Sequence, residues 1–444
     1  MSDGELTDPP PERARMWRHI GPGIVVAATG VGAGDLVATL IAGSRFGYAL
    51  LWAAILGCVV KIALSEGAAR YHLATGSTIL AGWRSLGRWA AWYFGIYVII
   101  WGFIYGATAM SATALPLAAL FPAIPLRAWA IAAGLFGFIF VFFNRYETFE
   151  IVMKWLVGFM FVIMVGLAIL VAPNLGDMAA GLTFDLPEGS LFYTLGLIGG
   201  VGGTITTAAY GYWTQAKGWR GLPWVPMMRT DNALAYIVTG LFVVAMLIVG
   251  AELLYSVGIA LEDSDRGLLG LSEVLSERFG TIVAVLFLLG FAATSLSSLL
   301  GVWQGMSLFF SDWWYQLKCA AASDEGGSDE GGREGSGAYR FYLAWLTFPP
   351  MLLLFADRPF LLVIVYGAFG ALFMPFLAIT LLILNNSDRV PAAARNGWLA
   401  NATLAGSALL FLVLAIQQVA NLVGGDPYGN RTRVSAVKGP RPNR

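Results

Sequence analysis

A single carboxylate, Asp35, stands inside an apolar stretch that runs from Gly21 to Tyr48, beside Gly30, Gly32 and Gly34. The stretch reads GPGIVVAATGVGAGDLVATLIAGSRFGY and is long enough to cross a bilayer. Glycine weakens a helix by about 1 kcal/mol per residue. A charged Asp at bilayer depth costs at least about 2.5 kcal/mol on insertion scales. A plain membrane anchor would carry neither. A helix unwound at its midpoint around an ion uses both, the carboxylate as ligand and the glycines to free backbone carbonyls. The chemistry offered is oxygen ligation, which suits hard cations.

A second segment has the same character. Gly199, Gly200, Gly202 and Gly203 are followed by Thr204, Thr206 and Thr207 in the apolar stretch 190–216. Threonine hydroxyls can satisfy freed backbone groups or bind ions. Small residues also serve helix–helix packing. Two such segments, five spans apart, favour paired breaks. Tyr210 and Tyr212 follow directly, and two readings stay open for them: ordinary core, or a vestibule lining that donates a hydroxyl to a hydrated ion.

Other intramembrane charges are weighed the same way. Lys61 and Glu66 share the second span, about 140° apart around a 3.6-residue helix. Glu66 precedes Arg70 by four residues, a favourable order for a helix-end pair. Lys61 lies deeper. It either snorkels to the interface or acts as an internal cation; beside Asp35 it would neutralise that carboxylate and argue against a divalent site. Glu147 and Glu150 read as solvated helix ends, with a Glu150–Lys154 pair. Glu252 reads as interfacial, Asp231 as a helix N-terminal acid, and Asp312 as cytoplasmic. Asn144, Asn385 and Asn386 look like cap or loop residues. Tryptophans 17, 83, 89, 92, 219, 224, 313, 314 and 398 gather near span ends as an aromatic belt.

The elements that must position these residues are membrane spans. The chain has 444 residues, of which 58% are hydrophobic and 12% charged, against about 25% charged in soluble domains. Eleven spans are expected, at roughly 20–45, 48–70, 89–115, 127–143, 150–172, 190–216, 232–256, 281–316, 340–356, 359–384 and 397–423. Arg13, Arg15 and Arg18 precede the first span, and every even loop is basic, so the N-terminal tail (1–19) is expected in the cytoplasm of a cell (plasma or inner) membrane protein. An odd number of spans puts the basic tail 424–444 outside, which conflicts with that rule. Spans 20–172 and 190–384 would form two inverted repeats of five helices, with 397–423 appended. The low-complexity stretch 322–337 is expected to be a disordered cytoplasmic linker.

Catalysis finds no support. There is no GxSxG elbow, P-loop or HExxH, and no loop is long enough for a nucleotide-binding domain. Two cysteines, Cys58 and Cys319, imply no disulfide framework, and His19 and His72 cannot build a histidine metal cage. No cleavable signal peptide is read in the polar first 18 residues. Zero net charge suggests no nucleic acid. The expected contacts are an inorganic cation and the bilayer, with no obligate protein partner and no resident cofactor.

The Gly-Pro-Gly start, Ala42-Gly43, Phe46-Gly47-Tyr48, Leu50-Leu51-Trp52 and Ala74-Thr75-Gly76 together resemble the opening of Nramp-type divalent metal transporters. Ala69-Arg70, Ser297-Ser298 and Pro375-Phe376 extend the resemblance over nearly the whole chain. It implies a LeuT-like fold with helices 1 and 6 discontinuous, and metal passage by alternating access. The family's DPGN motif falls on Gly32-Ala33-Gly34-Asp35, so its first ligand is a glycine here and its Asn is Asp35. The family's Met-Pro-His falls on Thr207-Ala208-Ala209, replacing thioether by hydroxyl. A family Gln falls on Phe373, and the third-span acids implicated in proton movement have no counterpart. The implied metal site is Asp35, Gly32, Thr204 and Thr207, with freed carbonyls near Gly32 and Thr204. Gly34, Thr206, Tyr210, Lys61 and Glu66 are candidates for the pathway.

An all-oxygen site favours hard divalent ions such as Mg2+ or Mn2+ over soft ones. The alternatives are a same-fold transporter of a small organic solute, and a non-transporting receptor or scaffold.

Overall fold

The computed structural model describes residues 19–257, 265–321, 334–356 and 359–423, and the side chains of residues 33–35 fall outside that description. Pro22 opens α1 (Pro22–Gly30) from the first turn, where its missing N–H would have had no partner. The helix stops after Gly30, Val31 turns extended, and α2 (Ala33–Phe46) begins beyond Gly32. Gly47, with φ +57°, makes the tight turn to the next helix.

The chain continues through α3 (Leu51–Thr75), α4 (Ile79–Ser85), α5 (Arg88–Leu120), α6 (Leu126–Phe143), α7 (Tyr146–Leu170) and α8 (Leu175–Ala180). The second break separates α9 (Leu191–Gly200) from α10 (Thr206–Ala216). Then follow α11 (Val225–Leu253), α12 (Asp265–Phe279), α13 (Thr281–Ala321), α14 (Gly337–Thr347), α15 (Pro359–Asn385) and α16 (Trp398–Val423). No strand occurs among the described residues.

Each expected span finds its helix, and α4, α8 and α12 lie in connections between them. Among the described residues, seven helices are long and apolar enough to cross a membrane. The two broken helices are divided into pieces too short to do so singly. The ninth span departs from a plain helix: α14 ends at Thr347, and Pro349–Ala356 continues as a 3-10 helix. Pro349 and Pro350 lack the N–H groups an α-helix needs there. Most of the stretch 322–337 lies outside the described residues, as does the basic tail.

The first broken helix sits at the centre. Every residue of α1 except Ile24 is buried, and α7, α10, α11 and α13 pack around it. The outer helices turn apolar side chains outward, among them Phe143, Trp155, Ile169 and Leu409, as a lipid-facing surface requires. The aromatic belt is only partly real. Trp89, Trp92, Trp314 and Trp398 are exposed, but Trp83, Trp219, Trp224 and Trp313 are buried. Trp83 Nε1 donates to Thr380 Oγ1 at 2.9 Å inside the helix packing; spacing near a span end cannot separate such a core indole from a belt residue.

Candidate functional site

The two breaks meet. A Cβ on Gly30 would overlap the carbonyl of Gly202, and one on Gly203 would lie 3.1 Å from Gly30 Cα. Gly202 and Gly203 have φ of +74° and +78°, the left-handed region where glycine carries no Cβ penalty. The glycine cluster therefore does two jobs: it turns the chain out of α9 and lets two backbones touch.

Interrupting a helix frees carbonyls that must find donors. At the end of α1 the donors come from α13. Ser297 Oγ donates to Ala28 O at 2.9 Å, and Ser298 Oγ donates to Thr29 O at 2.9 Å. The Ser298 hydroxyl is also 3.0 Å from that of Tyr105 on α5. At the second break, Lys61 Nζ on α3 donates to the carbonyl of Gly203, and Thr207 Oγ1 approaches the same oxygen at 3.5 Å. The expected free carbonyls at Gly32 and Thr204 are not idle. Gly32 O accepts from Leu36 N at 3.1 Å and Thr204 O from Thr207 N at 3.1 Å, because each opens the next half-helix.

A cavity lies between the breaks, lined by Thr29, Gly30 and Gly32 on one side and Gly203, Thr204 and Thr206 on the other. Trp101, Tyr105, Thr108, Ala109 and Ala112 of α5 and Ser295, Ser298 and Val302 of α13 complete it. Its water-accessible space is about 40 Å³, room for a few waters or a partly hydrated ion when one water needs about 10–15 Å³. The hydroxyls of Thr204, Thr206 and Ser295 are buried without a hydrogen-bond partner. An unsatisfied buried hydroxyl costs about 1–3 kcal/mol, so these oxygens are available to a guest. The described lining offers hydroxyl and carbonyl oxygens and no thioether or thiol. No group of three or more His, Cys, Asp or Glu able to hold a metal occurs among the described residues.

The sequence-derived candidates separate into groups. Gly32, Thr204 and Thr206 line the cavity. Gly34 and Asp35 lie in the first turn of α2, directly after Gly32, and the Asp35 side chain is outside the described residues. Thr207 is fully buried in α10 and Lys61 fully buried in α3; both reach the break through the Gly203 carbonyl rather than lining the cavity. Glu66 is elsewhere: it pairs with Arg70 Nε at 3.0 Å and with Arg229 Nε at 2.9 Å, tying α3 to α11. Phe373 is buried against Tyr97 and Trp83.

Several charges hold different positions from those expected. Asp231 does not open its span, since α11 starts at Val225. It is fully buried and accepts Gly21 N–H at 3.1 Å and Gly23 N–H at 2.6 Å. It thus caps α1 from a neighbouring helix, a favourable place for an anion. Tyr210 is core: its hydroxyl donates to Asp231 Oδ2 at 2.8 Å. Tyr212 donates to Asp312 Oδ2 at 2.5 Å, and Asp312 is fully buried. Glu150 is 3% exposed, not solvated, because Lys217 at 2.8 Å joins Lys154 at 2.5 Å around it. Asn385 is buried and reaches across to Gly67 O at 3.0 Å. Short-range spacing shows a residue's own helix, not the neighbour that buries it.

Tyr105, Ser295 and Ser298 join the site only through the packing of α5 and α13 against the breaks. The sequence carries part of the signal: Thr294, Ser295, Ser297 and Ser298 form the polar cluster at the middle of span 281–316.

Two interrupted helices meeting around a central oxygen-lined cavity define a membrane transporter of the LeuT-like architecture. A family model described as "Natural resistance-associated macrophage protein-like" (Nramp) matches residues 23–421, and the chain belongs to this family. It is 26% identical over 304 residues to the divalent metal cation transporter MntH of Bacillus subtilis, covering 63% of this chain and 67% of that one. It is 24% identical over 192 residues to MntH of Staphylococcus saprophyticus, covering 42% and 43%. Its fold is similar to the Eremococcus coleocola manganese transporter, with TM-score 0.76, 17% identity and coverage of 96% and 93%. It is also similar to MhsT, solved with L-phenylalanine, with TM-score 0.57, 15% identity and coverage of 94% and 100%.

Proposed function

We propose that this chain carries a divalent metal cation across the membrane by alternating access, with the ion held between the two helix breaks. The observation that carries this reading is the cavity itself: buried hydroxyls of Thr204, Thr206 and Ser295 without partners, at the junction of two interrupted helices in an Nramp-family chain. Membership of that family favours a metal over an organic solute, since the likeness to MhsT rests on fold alone.

Gly32, Thr204 and Asp35 are proposed to bind the ion, with Thr207 supporting the Gly203 turn. Gly34 and Thr206 belong to the pathway. The oxygen lining favours Mg2+ or Mn2+ over softer ions, and an ion that keeps part of its hydration fits a lining rich in neutral hydroxyls. The first bundle would rock against a scaffold of the remaining helices around this point, within two inverted repeats, 20–172 and 190–384, with 397–423 appended. The N-terminal tail is proposed to lie in the cytoplasm, a reading that the basic even loops support, and the protein in the cell membrane. α5 contains no acid, so the proposal includes no proton route through that helix.

The test is uptake of Mg2+ and Mn2+ into liposomes holding the full chain, wild type and Asp35→Ala. Saturable uptake lost in Asp35→Ala supports the reading. Absence of uptake of both ions by folded wild type refutes it.

A further inference from the structure

We propose that the Lys61 ammonium is a built-in competitor for the transported ion, held at the second helix break to set how tightly a divalent cation can bind. This rests on the metal reading above and assigns one of its specificity determinants. Lys61 is fully buried in α3, and its Nζ donates to the carbonyl of Gly203. Gly203 is part of the cavity lining. The ammonium therefore ties up the carbonyl of a cavity-lining residue and brings a positive charge to the edge of the break.

A lysine is an unusual donor to the carbonyl of a helix break. The neighbouring break shows the inexpensive solution, where Ser297 and Ser298 hydroxyls hold the carbonyls of Ala28 and Thr29. Burying a charge in a membrane span is costly and marks function by default. The Phe411 ring of α16 lies 5.7 Å from Nζ, within the range of a cation–π contact, so the last helix helps to hold the ammonium in place.

The electrostatic consequence has a definite sign. Coulomb repulsion scales with the charge of the incoming ion, so a divalent cation meets twice the repulsion that a monovalent one does. Removing the positive charge removes this repulsion, so cation binding is expected to tighten. Lys61 thus keeps binding weak, which suits release after each crossing.

The experiment is calorimetric titration of the purified full chain with MnCl2 and MgCl2. It compares wild type, Lys61→Met, Lys61→Gln and Lys61→Arg, each checked for folding by gel filtration. Lys61→Gln loses the charge but keeps an amide that can donate to the Gly203 carbonyl. The expected result is at least tenfold tighter binding of both ions in the Met and Gln variants, with no such gain in Lys61→Arg. Unchanged or weaker binding in the neutral variants, beside saturable binding by wild type, overturns the inference and leaves the metal reading standing. Failure of both neutral variants to fold assigns Lys61 to holding the break together and also overturns it. No binding by any folded variant overturns the metal reading and the inference together.

Discussion

Gly30 and Gly202 bring the two interrupted helices into backbone contact, so close that a Cβ on Gly30 would overlap the Gly202 carbonyl. The overlap is with main chain, which cannot rotate aside as a side chain can. Gly30→Ala therefore forces the breaks apart and reshapes the cavity between them. At least a tenfold fall in initial metal uptake is expected, in protein that still elutes as a folded species. Wild-type rates in Gly30→Ala liposomes would show that the contact is incidental.

Asp231 holds the start of the same helix. Its carboxylate accepts two N–H groups, from Gly21 and Gly23, and the Tyr210 hydroxyl. Hydrogen bonds to a charged group contribute about 1.5–3 kcal/mol. Asp231→Asn keeps the shape but loses the charge and one acceptor. A lower midpoint of thermal inactivation is expected, by an amount matching about 1–3 kcal/mol. Asp231→Ala should fall further, because it leaves those donors buried and unpaired. Equal thermal stability of all three proteins would contradict the assigned role.

Ser298 links α13, α1 and α5 through the Thr29 carbonyl and the Tyr105 hydroxyl. Ser298→Ala removes both contacts at the cavity wall. Uptake should show a raised KM of several-fold, and Tyr105→Phe a smaller rise, since Tyr105 contacts the capping hydroxyl rather than the freed carbonyl of Thr29. Competition assays with Mn2+ as the reporter would measure both.

The absence of sulfur from the described lining predicts ion preference. Mg2+ should compete with Mn2+ uptake at concentrations where Cd2+ does so no better. Thr206→Met, which puts a thioether at a cavity position, should shift the order toward Cd2+. Tighter competition by Cd2+ in wild type would refute the hard-ion preference.

Most of the architecture was legible because a bilayer makes it so. Spans must be apolar and about 20 residues long, and glycine clusters inside them have few uses. Gly32 and the Gly199–Gly203 cluster mark both breaks in the sequence. The lateral partners were not legible. Asp231 reads as a helix-start acid, yet it serves a helix more than 200 residues away in sequence. Glu150 reads as solvated, yet Lys217 helps to bury it. Lys61 left two readings open, and the contact with Gly203 favours the internal cation over snorkelling. Such pairings depend on which helices pack together, and the hydrophobic pattern of a single span carries no record of its neighbours.

The transported ion is proposed to bind in the cavity between the breaks, against the Thr204 hydroxyl and beside that of Thr206. The most direct measurement is the initial rate of Mn2+ uptake into liposomes by wild type and by Thr204→Val/Thr206→Val, which removes two hydroxyls at nearly constant side-chain volume. A loss of at least tenfold, equivalent to about 1.4 kcal/mol, with folding retained, is the predicted result. Saturable uptake at the wild-type rate in the double variant would contradict the account and place the ion elsewhere.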